Sequence, residues 1–309
     1  MHYPARVTPY VLGINTGFAV NRYAEPEEWT RVVGALGLRA VQLTADLLNP
    51  DLPGAVLTEQ VARIRRECAA AGCAVTSTFT GAFTRVNHLA HPDAAVRTHW
   101  LGWFRRFVDL SVDLGATSMG SHFGIFTRRD DRDPARRAER RAQNIDGWQQ
   151  IAGYAAERGL RFLSWEPMSI RREQGETIAA CRALHEAVNA GSPLPFRLCL
   201  DVDHGDLASP DPRDTDPDAW LREFAADSAS VHLKQSSANK GGHWPFVAAH
   251  NAGGRIQPAR VLAALAAGGA PDDLELLLEL SFREREPVDS TVEEALTESV
   301  AFWRPHVPR

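Results

Sequence analysis

Short apolar runs rich in β-branched and aromatic residues alternate along the chain with longer stretches whose apolar positions recur every three or four residues. The short runs read as strands at 11–15, 39–44, 74–79, 116–121, 160–166, 196–201, 229–233 and 274–280. The longer stretches read as helices with marked starts. Glu25-Pro26, Asp133-Pro134 and Asp216-Pro217 each place proline in a first helical turn, the latter two behind an aspartate cap. Ser290-Thr-Val-Glu293 reads as a capping box opening the last helix. Gly37, Gly72, Gly115, Gly159, Gly191 and Gly268 fall where helices should stop. Eight strands, each followed by a helix, predict an α/β fold of the (β/α)8 TIM barrel type, with residues 1–309 as one catalytic domain. An open doubly wound sheet is the alternative, weakened because no G-x-G-x-x-G follows the first strand.

Four of the later strand-like runs end in residues that bind metals. They are Leu160 to Glu166, Phe196 to Asp201, Ala229 to His232 and Leu274 to Glu279. In a barrel the C-terminal strand ends converge on one face. Glu166, Asp201, His232 and Glu279 would then crowd together, and crowded carboxylates repel one another. A divalent cation resolves the conflict, and a mixed oxygen and nitrogen set suits Mn2+, Mg2+, Co2+ or Zn2+. Each residue by itself reads equally well as a loop anchor; the ordered set on four successive strands points to one metal ion.

Charge and composition narrow the classes. A net charge of −5 gives no reason to expect a nucleic acid or an anionic membrane as partner. The N-terminal stretch lacks a basic region followed by a long apolar run, so no signal peptide is expected, and no run is long enough to span a membrane. Cys68, Cys73, Cys181 and Cys199 form no zinc-like pair and read as buried reduced thiols, which fits a cytoplasmic protein. Of 34 basic residues only Lys234 and Lys240 are lysines, so at least one is expected to point into the site. The dense charge run at 127–143 reads as a solvated loop and helix face, and 209–218 as a loop beside the site.

The motifs around these residues resemble the xylose isomerase-like TIM barrels, a family of sugar and sugar-phosphate isomerases and epimerases. Glu166 in SWEPMS, His232 in VHLKQ and Glu279 in LLLELS are similar to the family's metal ligands. LDVDHGD resembles its Asp-x-x-His pair, which implies a metal role for Asp201 and a substrate contact for His204. His122 in GSHFG sits where members place a substrate-facing histidine. Within the family, EPMS-x-RRE and HLKQS are most similar to erythrulose-phosphate epimerases. The stretch after His232 departs from the family, with Lys234, Lys240, Gly-Gly and His243 where many members carry aspartate and arginine. Those groups suit an anion such as phosphate, with Arg283 and its neighbours Arg171, Arg172 and Arg285 as helpers.

The resemblance implies a metal-dependent isomerase or epimerase of a small ketose or ketose phosphate, dimeric or tetrameric, working through a cis-enediolate. Glu166 and Glu279 would move the proton, and His122, His204, Lys234, Lys240, His243 and Arg283 would hold the substrate. Phe18, Phe79, Phe83, Phe123, Trp165 and Trp244 would wall the site, Asn15 and Thr16 could reach it, and His88, His91 and His250 read as loop residues without a role. A metal-dependent phosphodiesterase or endonuclease on the same barrel would need extra histidine ligands and a basic groove. A dehydratase or lyase would share the enediolate, and a non-catalytic sugar-binding barrel should lack one of the two glutamates.

Overall fold

Each strand-like run pairs in parallel with its neighbours, and the ring closes. In a computed structural model describing residues 10–237 and 240–307, the barrel strands are β1 Val11–Asn15, β2 Ala40–Thr44, β3 Ala74–Phe79 and β4 Ser118–His122. They continue as β5 Phe162–Glu166, β6 Phe196–Asp201, β7 Ser228–Leu233 and β8 Glu275–Leu278. The order round the ring is sequential, with β8 closing on β1. The doubly wound alternative is therefore excluded. The flanking helices are α1 Pro26–Ala35, α2 Gly54–Ala71, α3 Ala94–Leu114 and α4 Pro134–Arg158. They are followed by α5 Ile178–Asn189, α6 Pro217–Phe224, α7 Pro258–Ala267 and α8 Val292–Trp303. No described helix is long and apolar enough to cross a membrane.

Helix ends follow the local chemistry with one exception. Asp133 and Asp216 cap α4 and α6 through their side chains, and Glu25 forms a reciprocal capping box with Glu28 ahead of α1. The box expected at Ser290 is absent. Ser290 Oγ turns back to Glu286, and Thr291, the N-cap of α8, spends its own hydroxyl on the Pro287 and Val288 carbonyls and makes no cap bond. Gly72, Gly115 and Gly159 end their helices in the left-handed region. Gly205, at φ +135, is a tighter case, since a Cβ there would lie 1.9 Å from the Asp214 carbonyl oxygen. Only glycine lets the chain turn so closely behind His204.

The helices bury an aromatic-rich face against the barrel. Trp29, Trp103, Trp148 and Trp303 come from α1, α3, α4 and α8, and each is fully buried. All four cysteines are free and buried. Register matters more to the site than packing does. It sets His122 opposite Glu166 and Asp201 opposite His232, while the Glu279 amide reaches the Leu233 carbonyl across 3.0 Å.

The opposite mouth of the barrel is lined by Ser77, Ser118, Ser164, Ser230 and Glu275 around about 260 Å³ of space. Burial pushes the Glu275 carboxyl up to about 7 from its usual 4.5. The folded state thus keeps a proton that the unfolded chain has already released. Stability is expected to fall as pH rises from about 4.5 to about 7, then to level off. Glu275→Gln should remove this dependence and gain about 2 kcal/mol at pH 8, less than the full shift because the group still meets solvent. Denaturant melts of both proteins at pH 5 and pH 8 check it; parallel pH profiles would refute it.

Candidate active site

The four strand-end residues meet. Glu166, Asp201, His232 and Glu279 each offer one ligand atom, and those atoms all lie within 4.8 Å of one another. Glu166 ends β5, Asp201 ends β6, His232 is the last inward position of β7, and Glu279 follows β8. His232 is fully buried, and its Nδ1 lies 3.1 Å from Glu166 Oε1 and 3.5 Å from Glu279 Oε1.

The polarity of that imidazole is fixed from behind. His232 Nε2 lies 2.7 Å from Gln42 Oε1, so Nε2 donates there, and Gln42 is held in turn by Asn15 Nδ2 at 2.7 Å. Nδ1 is left facing two carboxylates, the orientation a metal-binding histidine needs. Donor chemistry and geometry therefore both fit one divalent ion. Burial alone would lower the His232 pKa, but Cys199, Glu279 and Glu166 outweigh it and hold it well above the ordinary value. Burial would likewise raise Asp201 and Glu279. His204 and Lys234 hold Asp201 below its usual range, and His232, Lys234 and His243 do the same for Glu279.

Gln42 had no place in the sequence reading, although an amide in the otherwise apolar run around β2 was the available signal. Gln42→Leu keeps the size and removes the acceptor. It should leave the fold intact and weaken metal binding about 10- to 100-fold, the usual cost of losing a histidine's orienting partner. Titration calorimetry with Mn2+ checks this, and wild-type affinity in the variant would refute it.

The expected substrate residues divide. His122, His204 and His243 line a pocket of about 370 Å³ above Glu166 and Glu279, together with Asn15, Arg22, Asp46, Phe79, Phe83, Arg85, Phe282 and Arg283. His122 Nε2 donates to the Val86 carbonyl at 2.9 Å, which leaves Nδ1 as an acceptor. Burial lowers its pKa to about 4, so the ring is neutral at physiological pH and offers an acceptor, not a cation. His204 Nδ1 donates to the Pro167 carbonyl, turning Nε2 toward Asp201.

Lys234 enters the site but not the pocket wall. It is 1% exposed, and its ammonium meets Asp201, Glu279 and His243. The stretch after it is not an open loop but an antiparallel hairpin, Gln235–Ser237 with Lys240–Trp244. The Gly242 amide there already donates to Asp203 Oδ2 at 3.0 Å. The Lys240 side chain lies outside the described residues. Neither Lys234 nor the Gly242 amide is therefore open to a phosphate. Arg171 and Arg172 lie apart, engaged with Asp131 and the Phe126 carbonyl, while Arg283 does line the pocket.

Of the expected aromatic wall, Phe79 and Phe83 line the pocket, Phe18, Phe123 and Trp165 are buried core, and Trp244 faces a neighbouring groove. Asn15 lines the pocket, whereas Thr16 is buried and bonds Thr44. His88 is no idle loop residue. It is fully buried, with its ring packed behind that of the pocket-lining His122 at 4.4 Å between centroids.

The sequence is 46% identical over 298 residues to D-erythrulose 1-phosphate 3-epimerase of Brucella abortus (strain 2308), covering 96% of each chain. Among solved structures, a Rhodospirillum rubrum ATCC 11170 protein provisionally named a xylose isomerase superposes with a TM-score of 0.86 at 26% identity, covering 96% of this chain and 99% of that one. D-psicose 3-epimerase of Clostridium cellulolyticum H10 shares the fold at a TM-score of 0.70 and 15% identity, over 96% and 99% of the two chains. Residues 31–306 match the family described as xylose isomerase-like TIM barrel. The chain belongs to that family, the xylose isomerase-like TIM barrels.

Proposed function

We propose that this chain is a divalent-metal-dependent 3-epimerase of a small ketose phosphate, with D-erythrulose 1-phosphate or its C3 epimer as the first substrate to try. The observation that carries this reading is the meeting of Glu166, Asp201, His232 and Glu279, with His232 Nδ1 turned toward both glutamates. The similarity to the Brucella epimerase supports the substrate class.

Glu166, Asp201, His232 and Glu279 would hold the ion, with Mn2+ the first choice among Mn2+, Mg2+, Co2+ and Zn2+. When bound, the ion supplies Lewis-acid polarisation of a carbonyl and its neighbouring hydroxyl. The protein's part is proton transfer. One glutamate takes the C3 proton on a carboxylate oxygen, leaving a cis-enediolate, and the other returns a proton to C3 from the opposite face. Glu166 and Glu279 come from strands three steps apart round the ring, which suits approach from two sides. His122 accepts a substrate hydroxyl at Nδ1, and His204 and His243 orient the remaining oxygens. Phe79 and Phe282 exclude water from the apolar side. With Lys234 committed to carboxylates, the phosphate end falls to the pocket mouth, where Arg283 and Ser281 stand. The free, buried cysteines suit a reducing compartment, and we infer the cytoplasm.

The deciding experiment is incubation of the Mn2+-loaded protein with D-erythrulose 1-phosphate in D2O, followed by NMR. Deuterium should enter C3 as the second epimer accumulates. A ketose phosphate recovered unchanged and unlabelled would sink this reading.

A further inference from the structure

Three carboxylates and one imidazole bring three negative charges into a centre that a divalent ion neutralises only in part. The remaining charge already has a partner. Lys234, two positions beyond His232, projects to the same face of the extended chain. Its Nζ touches Asp201 Oδ2 and lies 3.0 Å from Glu279 Oε2 and 3.1 Å from His243 Nδ1. Its hydrogen bonds go to Glu279 and His243 and its ion pair to Asp201, all inside the cluster, and the side chain is 1% exposed. Asp201 Oδ2, itself buried, makes no hydrogen bond of good geometry and has this ammonium as its close ionic partner. A charge so fully removed from water persists only where it is paired. The chain uses arginine at nearly every other basic position, yet here it carries the compact ammonium.

We propose that Lys234 is a built-in counter-cation of the metal centre, a positioning residue that balances the one carboxylate charge a divalent ion leaves over. A fixed cation sharing two ligands with the ion also repels it. Lys234 therefore makes the centre hold its ion more loosely than four bare ligands would, while keeping Asp201 and Glu279 in place before the ion arrives. The proposal rests on the metal reading above.

Lys234→Met keeps the length and removes the charge, and Lys234→Gln is a second, polar variant. With Mn2+ alone as the probe, titration calorimetry should show either variant binding about ten-fold tighter than wild type or better. The metal-free variants should also melt earlier than metal-free wild type. Equal or weaker Mn2+ affinity in a folded variant overturns the proposal alone. No Mn2+ uptake by wild type overturns the metal reading and this proposal together. If neither variant folds, wild type decides. With lysine as the labelled residue, the chain gives two side-chain signals by NMR, assigned through Lys240→Arg. One equivalent of Mn2+ should broaden the Lys234 signal beyond detection, and a Lys234 signal that stays sharp overturns the proposal.

Discussion

Glu166→Gln and Glu279→Gln are each expected to leave the barrel folded and to cut epimerase turnover by about a thousand-fold or more, within the usual range for losing a positioned acid–base group. Glutamine keeps the shape and one ligating oxygen, so the substitution tests proton transfer more than assembly. Neither glutamate packs in the apolar core, so the stability cost of Glu166→Gln should stay within about 1–2 kcal/mol, whereas Glu279 also pairs the buried Lys234 ammonium and its variant should cost more. A two-base scheme makes a sharper demand as well. Each variant retains the base on one face only, so it should exchange the C3 hydrogen of one epimer for solvent deuterium without inverting it, and the two variants should prefer opposite epimers. Near wild-type inversion in either variant would remove the two-base mechanism.

Metal content should respond as strongly to His232. Wild-type protein soaked in Mn2+ and desalted is expected to retain about one divalent ion per chain by mass spectrometry, and His232→Ala none. Thermal stability gives an independent reading. An ion bound only by the folded state contributes about 2.7 kcal/mol at a hundred times its Kd, so wild type should melt higher with Mn2+ while the variant stays put. His232 is fully buried between Gln42 and the two glutamates, and its loss would remove the one nitrogen donor of the proposed ligand set along with the group that both carboxylates face. A variant that still retains a full equivalent would mean that the cluster of Glu166, Asp201 and Glu279 holds no ion through His232, and the ligand assignment would have to be rebuilt.

The amino-acid sequence by itself determined the barrel. Strand and helix periods are local, and glycine, proline and aspartate punctuation is read within a turn or two. The bounds at 11–15, 74–79 and 196–201 accordingly agree with β1, β3 and β6 residue for residue. The convergence of Glu166, Asp201, His232 and Glu279 was legible for the same reason, because strand ends in a closed parallel ring converge wherever the ring is drawn. The Ser290 box failed where a neighbouring glutamate, Glu286, captured the hydroxyl that the local pattern had assigned to the helix. The partners of each polar group were decided only by the tertiary structure. Gln42 orients His232 across 190 positions of sequence, and His88 backs His122 from a loop that looked idle. Lys234 read as a phosphate ligand because the stretch it opens, with Ser, Lys240 and Gly-Gly, has that local character; barrel closure instead turned it against Asp201 and Glu279. Which donor meets which acceptor depends on register and closure summed round eight strands, and no local window of sequence contains that sum.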